Sequence, residues 1–187
     1  MNKMLCLVTA CISFVALFFM FTVNASSKPN RADVLKVGNS IPNAQLNKFG
    51  QSNVEIDDFK GKVKIISIVP QLNTPTCDEQ THQFSEKNGG LDKSIDIITI
   101  STNTAKGQDA FAKKANISNL IFLSDNPSFN FGKKTGLLLE GMDMLRRTVL
   151  VVDKKNIIRY VDFVPSGGLP DIKGALKAAK QVLLESS

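Results

Sequence analysis

Apolar positions fall in short blocks separated by longer stretches in which polar residues dominate. Residues 62–69 (KVKIISIV), 95–100 (IDIITI) and 120–123 (LIFL) are dense in β-branched or large apolar side chains. Blocks this short and this apolar predict strands buried on both faces. Residues 148–153 and 157–163 form two more, and Lys154, Lys155 and Asn156 between them predict a hairpin. Helices are predicted in the intervals. One runs from Thr74 to about Gly89, with Thr74 as N-cap, Pro75 at the first helical position, Phe84 facing the core and Gly89-Gly90 as the stop. A second spans 107–114. Asn126 and Pro127 predict the cap and first residue of a short helix or turn over 126–134. A last helix over 170–184 places Ile172, Leu176, Ala179 and Leu183 at helical spacing. Upstream, residues 44–49 and 54–56 predict short strands around a turn at 50–53, and 57–61 a short helical turn. The order is strand, helix, strand, helix, strand, short helix, hairpin, helix. It predicts an α/β fold whose mixed central sheet carries helices on both faces.

The first 25 residues follow a different rule. Lys3 precedes a run from Leu5 to Val23 that is apolar apart from Thr9, Ser13, Thr22 and two cysteines, and Val23-Asn24-Ala25 suits cleavage before Ser26. This is the pattern of a secretory leader. The competing reading is an uncleaved membrane anchor, because the run approaches bilayer-spanning length. The expected organisation is a leader over 1–25, a polar linker over 26–36 and one ordered domain over 37–187. The expected location is outside the cytoplasm, in a bacterial periplasm, with membrane anchoring as the alternative.

The chain has 187 residues, 43% of them hydrophobic, which is enough for one buried core. Its net charge is +6, but the basic residues are scattered and tryptophan is absent. A solvated basic surface therefore explains the charge better than a nucleic-acid interface. Of the three cysteines, Cys6 and Cys11 fall in the leader, so a cleaved chain keeps only Cys77. One cysteine makes no intrachain disulfide framework, and with the single histidine, His82, it makes no structural zinc site. A lone thiol in an exported chain suggests either an intermolecular partner or a reactive sulfur.

Cys77 sits where the first core strand passes into the first long helix. There the backbone N–H groups and the positive end of the helix dipole favour a thiolate, the nucleophilic form. Pro70, Thr74 and Cys77 stand in the order Pro, three residues, Thr, two residues, Cys. Together with the element order, Arg147 at the opening of the strand 148–153, and the Pro170-Asp171 helix start, this resembles the thioredoxin-like fold of peroxiredoxins. The closest likeness is to the thiol peroxidase branch, the atypical two-cysteine peroxiredoxins.

The resemblance implies a thiol-dependent peroxidase acting on hydrogen peroxide and organic hydroperoxides, with no cofactor and no metal. It implies that Cys77 attacks a peroxide oxygen and becomes a sulfenic acid. Thr74 would hydrogen-bond the thiolate and position the peroxide. Pro70 would shield the sulfur, and Arg147 would stabilise the thiolate and the charge passing to the leaving oxygen. A homodimer is a further implication. The departure is the missing resolving cysteine: Ala112 stands at its place, and no cysteine follows Cys77. The sulfenic acid would then need an external thiol or a thioredoxin-like reductant. Two other functions are alternatives on this fold: a non-enzymatic redox sensor, and a thioredoxin-like redox or metallochaperone module, a class that generally uses the paired cysteines missing here. Residues 137–139, all leucine, are expected in the core or at a dimer interface, with a hydroperoxide pocket as the alternative. Asp78 and Glu79 are expected to point away from the sulfur.

Overall fold

The computed structural model describes residues 28–186. Strands β1 (Gln45–Lys48), β2 (Gln51–Glu55), β3 (Lys64–Ile68), β4 (Asp96–Ser101), β5 (Ile121–Ser124), β6 (Thr148–Val152) and β7 (Ile158–Phe163) form one sheet. Its order is β2-β1-β5-β4-β3-β6-β7. The helices are α1 (Arg31–Val34), α2 (Pro75–Glu86), α3 (Ala105–Lys114), α4 (Asn130–Thr135) and α5 (Ile172–Glu185). Strands β3, β4 and β5 are parallel, and β6, β7 and β1 are antiparallel to their neighbours. The sheet is mixed, as the late hairpin predicts.

β3 lies between β4 and β6, and all five of its residues are buried. Because side chains alternate across a strand, its two sets face different layers. Ile66 and Ile68 join Ile98, Ile100, Leu150 and Val152 on one face, with Phe131 of α4 and Leu35 after α1. Ile65 packs on the other face with Ile97, Val149 and Val151, under Phe84 of α2 and Ala175, Ala179 and Val182 of α5. Helices therefore cover both faces. The buried stripe of α5 is Ile172, Ala175, Ala179 and Val182, with Leu176 and Leu183 only half-buried beside it. Small alanines at its centre let the helix lie close to β6.

Three elements differ from the expectation. The segment 26–36 is not linker throughout: α1 makes one helical turn capped by Asn30, and Leu35 behind it is fully buried. Helix α3 begins at Ala105 rather than 107, because the Thr104 hydroxyl accepts from the Gly107 amide at 3.1 Å. Asn126 and Pro127 do not start a helix. They are joined by a cis peptide, and α4 begins at Asn130 after Phe129 in the left-handed region. Its first amides are held from outside the helix: Phe131 N and Gly132 N each donate to the buried Asp125 carboxylate at 2.8 Å. Burial raises that carboxyl to about 6, against the opposing pull of the two amides and Lys133.

Gly136 closes α4 at φ +71, and a Cβ there would clash with the Pro29 carbonyl oxygen. Only glycine permits this approach, and it seats Pro29 and Arg31 against the end of α4. Among the described residues no helix is long and apolar enough to cross a membrane. The leader expected over 1–25 lies outside the described residues.

Candidate active site

The end of β3 delivers the chain to Pro70 and then to a tight segment over 71–74. Two bonds from the β4–α3 connection hold this segment. The Thr102 hydroxyl donates to the Pro70 carbonyl oxygen at 3.2 Å, and the Leu72 amide donates to Asn103 Oδ1 at 2.8 Å. Helix α2 then starts with Pro75 at its first position, as expected, and carries Cys77 in its first turn. Four residues on one helical face recur inward: Cys77, Gln80, Thr81 and Phe84 are all buried. Thr81 donates its hydroxyl to the Cys77 carbonyl oxygen at 2.7 Å.

The Cys77 thiol is 1% exposed, and it faces a cation. Arg147, just before β6, places Nη2 at 3.2 Å from Sγ. Its Nη1 donates to Gln80 Oε1 and, at 3.5 Å, to the Thr76 carbonyl oxygen. Gln80 in turn donates through Nε2 to the Ser67 hydroxyl on β3 at 2.7 Å. A chain of contacts thus runs from the central strand through Gln80 to the guanidinium and the sulfur. Planar Arg with two anchored nitrogens has little freedom to leave the sulfur. Guanidinium and helix N-terminus both favour negative charge on Sγ.

Cys77 and Arg147 are therefore in direct contact, and Pro70 shares a pocket lining with Arg147. Thr74 occupies the N-cap position, but its side chain does not cap. Its hydroxyl donates to the Gln71 carbonyl oxygen at 3.2 Å, and the residue is exposed. Asp78 and Glu79 turn to the helix's own solvated side, toward His82 at 3.6 Å and Gln83 at 3.0 Å. Arg146 is exposed while Arg147 is buried. Ala112, at the expected place of a resolving cysteine, packs half-buried against the α2 and α5 side of the core. Among the described residues Cys77 is the one free cysteine, and no group of three or more His, Cys, Asp or Glu stands together to hold a metal ion.

Gln80 and Ser67 did not stand out in the sequence as site residues. The signal for Gln80 was its spacing: a glutamine three residues after Cys77, on a face otherwise built from buried positions. A buried amide demands partners on both its ends, and those partners are Arg147 and Ser67.

A buried cysteine at a helix N-terminus, held by an arginine on the neighbouring strand of a thioredoxin-like sheet, defines a class of cysteine-dependent oxidoreductases. The comparisons agree with that class. Residues 36–176 match the Redoxin family. The chain is 35% identical over 150 residues to the thiol peroxidase of Halalkalibacterium halodurans, covering 80% of this chain and 90% of that one. It is 34% identical to the thiol peroxidase of Listeria innocua, covering 78% and 88%. Among solved structures, a peroxiredoxin-like protein from Aquifex aeolicus superposes with a TM-score of 0.72 at 29% identity, over 79% of this chain and 88% of that one. The chain belongs to the Redoxin family and, within it, to the thiol-dependent peroxidases.

Proposed function

We propose that this peroxidase works with one cysteine: Cys77 reduces the peroxide, and a thiol from outside the domain regenerates it. The observation that carries this reading is the Cys77–Arg147 contact at 3.2 Å in a chain with no cysteine after Cys77. The thiolate attacks one peroxide oxygen, the O–O bond breaks, and sulfur is oxidised to a sulfenic acid. The other oxygen leaves with the bonding pair as alkoxide or hydroxide and takes a proton to become alcohol or water. Arg147 lies where this charge develops and stabilises it as it moves from sulfur to oxygen.

Pro70 restricts water at the sulfur. Thr74 serves the peroxide through its hydroxyl, which requires the side chain to turn from Gln71 toward the pocket. A first external thiol then condenses with the sulfenic acid, releasing water and leaving a mixed disulfide. A second displaces it and restores Cys77.

Leu137 is in the core, whereas Leu138 and Leu139 line a cavity of about 650 Å³ together with Met142. That cavity includes none of Pro70, Thr74, Cys77 or Arg147 in its lining, so organic hydroperoxides beside hydrogen peroxide are proposed from the family likeness. Export, with removal of residues 1–25, remains the location we propose, on the leader pattern alone. Homodimer formation is proposed from the family likeness.

The test is single-turnover oxidation by hydrogen peroxide and by an organic hydroperoxide, read by intact mass and sulfenic-acid trapping at Cys77, with Cys77→Ser as control. Oxidation far faster than that of a free thiol is the expected result. Oxidation at a free thiol's rate would refute the peroxidase mechanism in favour of a passive sensor. An intrachain disulfide to Cys77 during turnover would refute the one-cysteine cycle.

A further inference from the structure

Arg147, which contacts the Cys77 sulfur, also lines a second, smaller pocket of about 200 Å³. Pro70, Arg31, Arg146, Leu139 and Val164 are among its walls. The lining holds three arginines and no carboxylate. Only Arg147 is committed, to Gln80, Thr76 and Cys77. The Arg31 guanidinium stacks over the Phe163 ring at 5.2 Å and pairs with no acid among the described residues. Arg146 is exposed and has no acidic partner among the described residues. Of the nearby acids, Glu140 pairs with Lys28, and Glu140 and Asp143 line the larger neighbouring cavity, whose wall Arg146 shares.

Arg31 owes its place at the pocket to Gly136, whose missing side chain lets the backbone at Pro29 and Arg31 close onto α4. Arg31 and Arg146 in its walls, with Arg147 reaching on to the sulfur, make a site for a small molecule with an anionic group at one end. Hydrogen peroxide needs no such site. The reductant does, because it must reach a sulfur that is 1% exposed.

Resting on the one-cysteine cycle above, we propose that this pocket binds the reductant, a low-molecular-weight thiol bearing a carboxylate. Arg146 and Arg31 hold the carboxylate while the thiol sulfur is directed past Arg147 to the Cys77 sulfenic acid. The step forms one S–S bond and breaks the S–O bond. The sulfenic oxygen leaves as water with the thiol's proton, Cys77 sulfur is reduced and the incoming sulfur is oxidised. A second molecule of the same thiol releases the disulfide and restores the Cys77 thiol.

Two arms on the full chain test this, each read by mass at the Cys77 peptide so that Cys6 and Cys11 do not contribute. In the first, Cys77 is oxidised with one equivalent of hydrogen peroxide and reduced with 3-mercaptopropionate or with its methyl ester. In the second, which needs no peroxide, reduced Cys77 exchanges with 3,3′-dithiodipropionate or with its dimethyl ester. Every rate is divided by that reagent's rate with a small reference thiol or disulfide. The expected result is a carboxylate preference of about tenfold or more in both arms, the size of one charge-assisted Arg contact. It is expected to be lost in Arg31→Gln and reversed in Arg146→Glu.

Equal rates for acid and ester in wild type overturn the proposal, and so does a preference that survives Arg146→Glu. A carboxylate preference confined to the oxidation step, measured with a carboxylate-bearing hydroperoxide against its ester, also overturns it and gives the pocket to the peroxide. Failure of hydrogen peroxide to oxidise Cys77 quickly would count against the peroxidase mechanism instead, and the exchange arm would still decide the pocket.

Discussion

Strand β3 has a buried cation near each end, and the two are treated differently. At the entry end Lys64 is fully buried, paired in register with Val152 of β6. Its ammonium donates to Asn156 Oδ1 at 2.6 Å and to the Asp153 carbonyl oxygen at 3.3 Å. Asn156 passes the contact on to Asp57 at 2.8 Å. At the exit end, on the opposite face of the sheet, Arg147 precedes Thr148, the partner of Ile68. Its neighbours are the Gln80 amide, a backbone carbonyl and the Cys77 sulfur.

Lys64 gives its hydrogen bonds to neutral oxygens, and burial pushes it down to about 8 against the opposing pull of Asp96, Asp153 and Asp57. Arginine keeps its charge throughout the accessible pH range. The teaching is chemical. A structural cation can be satisfied by dipoles and can lose its proton. A cation that must stabilise charge on a neighbouring sulfur has to be permanent and to have one anionic position left beside it.

The strongest test of this contrast removes the permanent charge. Arg147→Gln is expected to slow Cys77 oxidation by peroxide by about 100-fold or more, as for loss of a preorganised charge-stabilising donor. Stopped-flow oxidation reads it, and a loss below about threefold would mean the guanidinium is only packing.

Next is the group that aims it. Gln80→Leu leaves both Arg147 Nη1 and the Ser67 hydroxyl short of a partner. It should slow oxidation about tenfold and cost about 1–3 kcal/mol of stability by urea unfolding. Rescue of the rate by Gln80→Glu would identify Gln80 as a positioning residue, because a carboxylate can still hold the guanidinium.

At the other end Lys64→Met strands Asn156 Oδ1 without its donor and should cost about 1–2 kcal/mol. Cys77 oxidation should stay at the wild-type rate. A slowed oxidation would show that the two ends of β3 are coupled.

The smallest effect concerns pH. Lys64 lies near 8 in the folded chain, against an ordinary lysine value of 10.5. Between them the unfolded chain binds more protons than the folded one, so this group makes stability rise with pH across that window. Denaturation midpoints from pH 8 upward should contain this rising contribution in wild type and lack it in Lys64→Met.

Much of the site was legible in the chain. Cys77 at the head of a helix, Pro75 at its first position and Arg147 opening a strand all follow from local rules, since each depends on neighbours within a few residues. Legibility failed where competing partners decided a contact that residue type and spacing left open. Asn126 and Pro127 look like a helix start, yet α4 takes its cap from Asp125, on the far side of a cis peptide. Thr74 stands in the N-cap position, yet its hydroxyl turns to Gln71. Leu35 lies in a polar stretch that reads as linker, but its burial depends on a surface built by β-strands and α4.

By itself the sequence determined the alternation of strands and helices, the mixed sheet, and a nucleophile at the head of a helix. Those features are encoded by periodicity and by residue types at fixed short spacing. Only the tertiary structure decided that Arg147 meets Cys77, that Gln80 and Ser67 steady the guanidinium, and that Arg31 and Arg146 line one pocket. These residues are separated by up to 115 positions between Arg31 and Arg146. No local rule relates them. Their meeting is a consequence of strand order and of one glycine that lets two backbones touch.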